Sequence, residues 1–194
     1  AVSLQAADGL SSAGMLSLAG AGATTEAREQ PWVCTVENKE SFYAVAAAAR
    51  RAWVRGWSAN GDAVEAGEIE AGDGAAATRP PPSAVVYTAG FPAAVVCRLV
   101  SLLGRSGAQI RHFGDMDPEG LVILEQLASC TGVSIGAFLM NEGLYLDNLR
   151  HGRPLAGTSV KRLEELRDSS LQDLASLMRK HEVGVEQEVI PVVF

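Results

Sequence analysis

Short apolar runs and longer stripes at helical spacing alternate along this chain. Trp32-Val33-Cys34-Thr35-Val36 is a run of strand formers, closed by Glu37 and Asn38. From Ser41 to Trp53, the residues Phe42, Val45, Ala46, Ala49 and Trp53 recur at helical spacing, with Asn38 or Ser41 as the cap. Ala84–Thr88 predicts a buried-type strand and Gly90-Phe91-Pro92 a turn. Pro92–Leu103 predicts a helix with Val95, Val96, Leu99, Leu102 and Leu103 on one side and Gly104 as its stop. Gln109–Phe113 predicts a third strand. Asp117-Pro118 opens a helix whose Leu121, Leu124 and Leu127 face inward, with Ile123 at the edge of that face, and Val133–Met140 predicts a fourth strand. Thr158–Lys180 predicts one long amphipathic helix, striped by Val160, Leu163, Leu166, Leu171, Leu174, Leu177 and Met178. The tail, Val183–Phe194, is strand-like. Strands alternating with helices in this way mean βαβ units, so the expected class is α/β with a mostly parallel central sheet flanked by helices.

Composition changes this picture at two places. Residues 1–30 are rich in Ala, Gly, Ser and Leu without a basic leader, which predicts a weakly ordered lead-in and not a signal peptide. The first residue is Ala1 and not Met, as expected of a processed product or a piece of a longer protein. Residues 61–82 hold Asp62, Glu65, Glu68, Glu70 and Asp73 against Arg79 alone and end in three prolines, which predicts a flexible acidic insertion in a domain spanning 31–194. That insertion carries more than half of the formal net charge of -7, so the body is only mildly acidic. A generally basic nucleic-acid coat is excluded; a local basic face is not. No apolar run is long enough to span a membrane, so no membrane partner is expected. Cys34, Cys97 and Cys130 are far apart and form no CxxC pair, which argues against a disulfide framework or a zinc site and for a reducing, cytoplasmic setting.

The chemistry concentrates at strand ends. In an open α/β sheet, functional groups gather at the carboxyl ends of the strands. Glu37 follows the first strand, and Asp115 and Asp117 follow the third. Residues two apart in extended chain point to the same side, so the two aspartates can present their carboxylates together, with Gly114 clearing space beside them. Gathered carboxylates repel, and a hard divalent cation is the natural counterion. A Mg²⁺ or Mn²⁺ there would suit phosphodiester hydrolysis, by screening phosphate charge and activating water. Each residue has a plainer reading too. Asp117 before Pro118 is a ready helix N-cap, and Asp115 and Glu37 fit solvated surface acids.

Taken in order, Val36-Glu37-Asn38-x-x-x-Phe42, Tyr87-Thr88-x-Gly90-Phe91-Pro92 and His112-Phe113-Gly114-Asp115-x-Asp117-Pro118-x-Gly120-x-x-Ile123-Leu124 resemble a Toprim domain. The match is nearest to the C-terminal domain of the JetD family, the nuclease subunits of bacterial SMC-like Wadjet anti-plasmid systems, related to the A subunit of type IIB topoisomerases. The tail Gly184-Val185-Glu186-Gln187-Glu188 is similar to that family's ending. The resemblance covers about residues 32–192 and implies a Toprim-like Rossmannoid sandwich. It implies Glu37 as an acid/base or metal-linked carboxylate and Asp115 and Asp117 as holders of Mg²⁺ or Mn²⁺. Glu186 and Glu188 match the terminal acidic motif, either completing the metal site or serving a structural role. Implied partners are plasmid DNA, SMC-like subunits and a second copy of the chain. Larger relatives carry a winged-helix part upstream. The stretch before Trp32 is too short for one, so DNA binding is expected to depend on partners.

Candidate DNA contacts are Lys39 beside the site, Arg111 and His112 on the strand leading to Asp115, and Arg150, His151 and Arg153 around Gly152; a solvated face explains each as well. Two other functions compete with the nuclease. A break-forming enzyme like the type IIB topoisomerase A subunit needs a nucleophilic tyrosine, and Tyr43, Tyr87 and Tyr145 all lie where that family does not place it. A non-catalytic interaction module would dock through the Thr158–Lys180 helix. Several further signals fail. Gly132-x-Ser134-x-Gly136 follows a helix where a nucleophile elbow follows a strand. Gly20-Ala21-Gly22 lacks the spacing of a nucleotide loop. The histidines have no HExxH spacing. Cys34 and Cys97 fit core packing. Trp53 and Trp57 near Arg50, Arg51 and Arg55 fit helix packing with a solvated basic edge.

Overall fold

A computed structural model of the chain describes residues 30–55 and 80–194. The expected lead-in, the Gly20-Ala21-Gly22 segment, Trp57 and nearly all of the expected acidic insertion lie outside the described residues. The rest is a mixed α/β fold with a four-stranded parallel sheet flanked by helices. In chain order the elements are β1 (Trp32–Val36), α1 (Lys39–Val54), β2 (Ala84–Tyr87), α2 (Ala94–Arg105), β3 (Gln109–Phe113), α3 (Pro118–Thr131), β4 (Ile135–Ala137) and α4 (Glu142–Asn148). Then come β5 (Arg153–Pro154), α5 (Gly157–Arg162), α6 (Gln172–His181) and β6 (Val183–Gly184).

The strand order is β2-β1-β3-β4. From β1 the chain crosses over α1 to β2 on one side, then returns over α2 to β3 on the other. The order therefore reverses between β1 and β3, and a crevice opens there at the carboxyl ends. All five residues of β1 are buried, as a central strand of a covered parallel sheet requires. Asn38 caps α1 by accepting the Glu40 N–H at 3.0 Å, so the first of the two expected caps is used. Val45, Ala48, Ala49 and Ala52 form the buried face of α1. Asp117 caps α3, Pro118 opens it, and Gly132 in the left-handed conformation (φ 65°) ends it. Leu121, Leu124 and Leu127 are buried as expected, and so is Ile123. Ser134 lies in the loop before β4, which leaves the rejected nucleophile elbow without its strand–turn–helix frame.

The remaining expectations need correction. α2 buries Cys97 and Val100, with Val96 and Leu103 packed against the core, while Val95, Leu99 and Leu102 face outward. Arg98, Ser101 and Arg105 form a polar edge at helical spacing, and the expected stripe is rotated about the helix, taking in Val95, Leu99 and Leu102 and leaving out Cys97 and Val100. The helix also runs through Gly104 to Arg105. The expected Thr158–Lys180 helix is two helices separated by a break. Asp168 accepts the Ser170 N–H at 2.8 Å and starts a new turn there, while Glu125 of α3 accepts the Arg167 and Asp168 N–H groups at 2.6 and 2.8 Å. Leu163 and Leu166 in the break and Leu171, Leu174 and Met178 after it are buried nonetheless, whereas α5 itself buries no residue fully. The fourth strand shortens to three residues. The strand-like tail reduces to β6, an isolated bridge from Val185 to Met116 and a 3₁₀ turn over Gln187–Val189. Cys97 and Cys130, expected to be unpaired, form a disulfide with their Cα atoms 5.9 Å apart. Their separation of 33 residues hid the pairing, which arises only because α2 and α3 pack side by side. Cys34 is buried and free, and burial pushes its thiol far above the usual range, so the packing role holds. Trp53 donates its indole N–H to the Pro82 carbonyl at 3.2 Å, in keeping with helix packing.

Gly120 in the first turn of α3 shows how tightly the loop below the helix is built. A Cβ there would lie 2.1 Å from the Asp115 carbonyl oxygen. Gly120→Ala is expected to destabilise the fold by at least about 1–3 kcal/mol through overpacking, read as a lower urea midpoint at unchanged slope.

Candidate functional site

The switch point between β1 and β3 carries the acids that the sequence singles out. Glu37 leaves the end of β1 with its N–H on the Phe113 carbonyl at 3.0 Å, which continues the ladder one residue past the strand. Its Oε2 in turn accepts the Asp115 N–H at 3.3 Å. Asp115 Oδ1 accepts the Gln187 N–H at 2.8 Å, and Asp117 Oδ1 accepts the Gly120 N–H at 2.7 Å. Met116 between the aspartates is buried and pairs with Val185. Neighbouring residues alternate sides in extended chain, so Asp115 and Asp117 share the opposite side. Asp117 is thus a helix cap and a candidate ligand at once; the two readings do not compete.

These carboxylates are held against their own preference. Glu37 is raised to about 7, chiefly by burial and further by repulsion from Asp115, Asp117 and Glu188, with the Asp115 N–H pulling the other way. Burial raises Asp115 to about 6, opposed by the Gln187 N–H and reinforced by Asp117, Glu188 and Glu186. Asp117 is raised as well, again chiefly by burial. Among the described residues no Lys, Arg or His forms an ion pair with any of the three. Nor do any three His, Cys, Asp or Glu side chains among them stand as a ready-made metal-binding group. The donors are all hard carboxylate oxygens around a charge deficit, which fits Mg²⁺ or Mn²⁺ better than a softer metal.

The terminal acids reach the same place by a different route. β6 pairs with β5, and Tyr145 anchors it by donating its hydroxyl to the Val183 carbonyl at 2.7 Å. Glu188 accepts a hydrogen bond from the Asn38 amide, which joins the tail to the start of α1. Glu186 pairs with Arg153 at 2.8 Å. A cleft of about 310 Å³ opens beside the acids, lined by Glu37, Asn38, Lys39, Tyr87, Gly90 and Asp115 among others.

The basic candidates separate. Lys39 lines the cleft. Arg153 serves Glu186, and Arg150 donates to its neighbour His151 at 3.0 Å, both exposed. Arg111 leans back over the Trp32 ring at 5.8 Å and donates to Gln109, at the amino end of the sheet and away from the acids. His112 is fully buried, so it has no surface to offer DNA; that expectation is corrected. Its Nδ1 bonds the Thr35 hydroxyl at 2.9 Å, and burial lowers its pKa to about 4, which leaves a neutral ring. Sequence reasoning missed the Gln187 N–H and the Asn38 amide as site groups. Asn38 carried only a cap signal, and a backbone N–H carries no sequence signal at all. It also missed Tyr87 and Gly90 as cleft walls.

The family profile described as "Protein of unknown function C-terminus (DUF2399)" matches residues 17–192. No curated protein matches the chain.

Two predictions test this geometry. Folding without metal leaves Glu37 with a raised pKa, so the folded state holds an extra proton between about pH 4.5 and 7 and loses stability as pH rises through that window. Glu37→Gln is therefore expected to raise metal-free stability by on the order of 1–3 kcal/mol at about pH 8 and to leave it unchanged at about pH 4, measured by urea unfolding. Asp117→Ala should cost about 1 kcal/mol as a lost cap, whereas Asp117→Asn, an equally good cap, should cost a few tenths at most.

Proposed function

The chain belongs to the DUF2399 family, and on that premise we propose that it is a divalent-metal-dependent DNA endonuclease module. The observation that carries this reading is the convergence of Glu37 and Asp115, with Asp117 beside them, at the one sheet edge where the strand order reverses. Resemblance of the Glu37 and Gly114-Asp115-x-Asp117-Pro118-x-Gly120 pattern to Toprim domains, and to the JetD family in particular, supports the same reading. In it the module serves an SMC-like anti-plasmid complex, with plasmid DNA as substrate and partner subunits or a second copy of the chain supplying most DNA affinity.

In this reading Asp115 and Asp117, whose side chains share one side of the chain, would hold Mg²⁺ or Mn²⁺, and Glu37 would be the adjoining metal-linked or acid/base carboxylate. A bound divalent ion supplies charge neutralisation at the phosphate and an acidified water. Glu37, raised to about 7, stands where it can exchange a proton near neutral pH. Lys39 on the cleft wall is placed to meet a phosphate, and Glu188 with Asn38 keeps the tail closed over the acids.

The break-forming alternative draws on one observation, that Tyr87 lines the same cleft. A protein–DNA adduct surviving denaturing electrophoresis would favour it; free nicked product favours hydrolysis. In the nuclease reading, Asp115→Ala abolishes Mn²⁺-dependent nicking of supercoiled plasmid, by more than about a hundredfold. The measurement is made in the full assembly, and nicking retained by that variant refutes the assignment.

A further inference from the structure

His112 is the most deeply buried polar side chain near the acids, and the role the sequence suggested for it is closed. Its surroundings point inward. Nδ1 is satisfied by the Thr35 hydroxyl, directly opposite in the β1–β3 register, at 2.9 Å. Nε2 has no hydrogen-bond partner although it is fully buried. A buried ring nitrogen left without a partner costs free energy of desolvation, so its direction matters.

That direction is given by Gly114. A Cβ built on Gly114 would lie 2.8 Å from His112 Nε2 and 2.7 Å from Glu37 Oε2. Both atoms thus press toward the same side of one bare α-carbon, closer than any methyl group would permit. The φ of Gly114 is not in the left-handed region, so backbone conformation does not call for glycine here. Space does. Hydrogen bonds at such sites are often long or misaligned before substrate and metal arrive, and tighten afterwards.

We propose that His112 is the positioning partner of Glu37: Thr35 fixes the imidazole through Nδ1, and Nε2 meets Glu37 Oε2 over Gly114, directly or through one water. No covalent or proton-transfer step is implied; the ring orients the carboxylate and keeps its second oxygen turned toward the cleft. Groups that orient a ligand from behind in this way commonly matter as much as the ligand itself. In this arrangement Glu37 Oε2 takes the Asp115 N–H and faces the imidazole across the bare α-carbon of Gly114. The contact stands on geometry alone; its catalytic value rests on the nuclease reading.

The test separates the two. In the full metal-free chain labelled with ¹⁵N in histidine rings, long-range ¹H–¹⁵N spectra report each ring nitrogen of His112. Glu37→Gln should shift Nε2 and leave Nδ1 nearly in place, and Thr35→Val should do the reverse. An Nε2 resonance indifferent to Glu37→Gln overturns the proposal whether or not the protein cuts DNA. In nicking assays His112→Phe should lower the rate on the order of ten- to a hundredfold at unchanged thermal midpoint, because a misplaced group costs about that much. His112→Gln, which restores a polar group at the Nε2 position, should recover much of the loss. If both variants are equally impaired with midpoints unchanged, orientation of Glu37 is not what the ring provides. Should wild-type protein show the Nε2 coupling yet no metal-dependent nicking in its assembly, the contact stands and the nuclease reading falls.

Discussion

Glu37 and Asp115 emerge from adjacent parallel strands, and a single backbone N–H, that of Asp115, bridges them. Around this contact the fold gathers Asp117, Glu186 and Glu188, and among the described residues the one ion pair in the group is Arg153 with Glu186, none reaching Glu37, Asp115 or Asp117. Removing carboxylates from water and bringing them together are both unfavourable, and each raises the pKa of the groups concerned. Backbone N–H groups from Asp115, Gly120 and Gln187 offset part of that cost, but they are partial charges set against full ones. The remaining deficit is what a divalent ion would relieve. The arrangement is a weakness of the unliganded fold, and the proposed metal would offset it.

Three remote stretches must meet to produce it. The β1 end contributes Glu37 and Asn38, the β3 end contributes Gly114 to Asp117, and the tail contributes Gln187 and Glu188. The sheet alone explains the first two, because parallel neighbours share their carboxyl edge. The tail arrives by another route, through the β5–β6 pair, the Tyr145 hydroxyl and the Met116–Val185 bridge. Those contacts carry no carboxylate themselves, yet without them Asp115 would lack its Gln187 N–H. Glycine serves the same end at two positions. Gly120 lets α3 start directly against the Asp115 carbonyl, and Gly114 lets an imidazole and a carboxylate approach one α-carbon.

Where sequence and structure part, the cause is competition among signals of similar strength. The stripe expected on α2 takes in Val95, Leu99 and Leu102, whereas the buried side is Cys97 and Val100 with Val96 and Leu103 against the core, a face rotated from the expected one but still opposite the Arg98, Ser101 and Arg105 edge. The stripe from Val160 to Met178 keeps helical period across a break, because Asp168 and Glu125 capture N–H groups that a continuous helix would have used. Arg111 and His112 adjoin in sequence, but alternation along a strand sends them to opposite faces. One covers Trp32, and the other turns into the core below Glu37.

Local pattern was sufficient for the class of fold, for most element positions, for the cap at Asp117 and for the expectation that Glu37, Asp115 and Asp117 lie near one sheet edge. These follow from strand runs, helical stripes and the rule that acids after parallel strands share an edge. Tertiary structure alone decided the Cys97–Cys130 pairing, the docking of the tail on Asp115 and the burial of His112. Each depends on which side of which element meets another across dozens of residues. Side-chain chemistry is written in the chain order; proximity between remote segments is settled only when the core they share is packed.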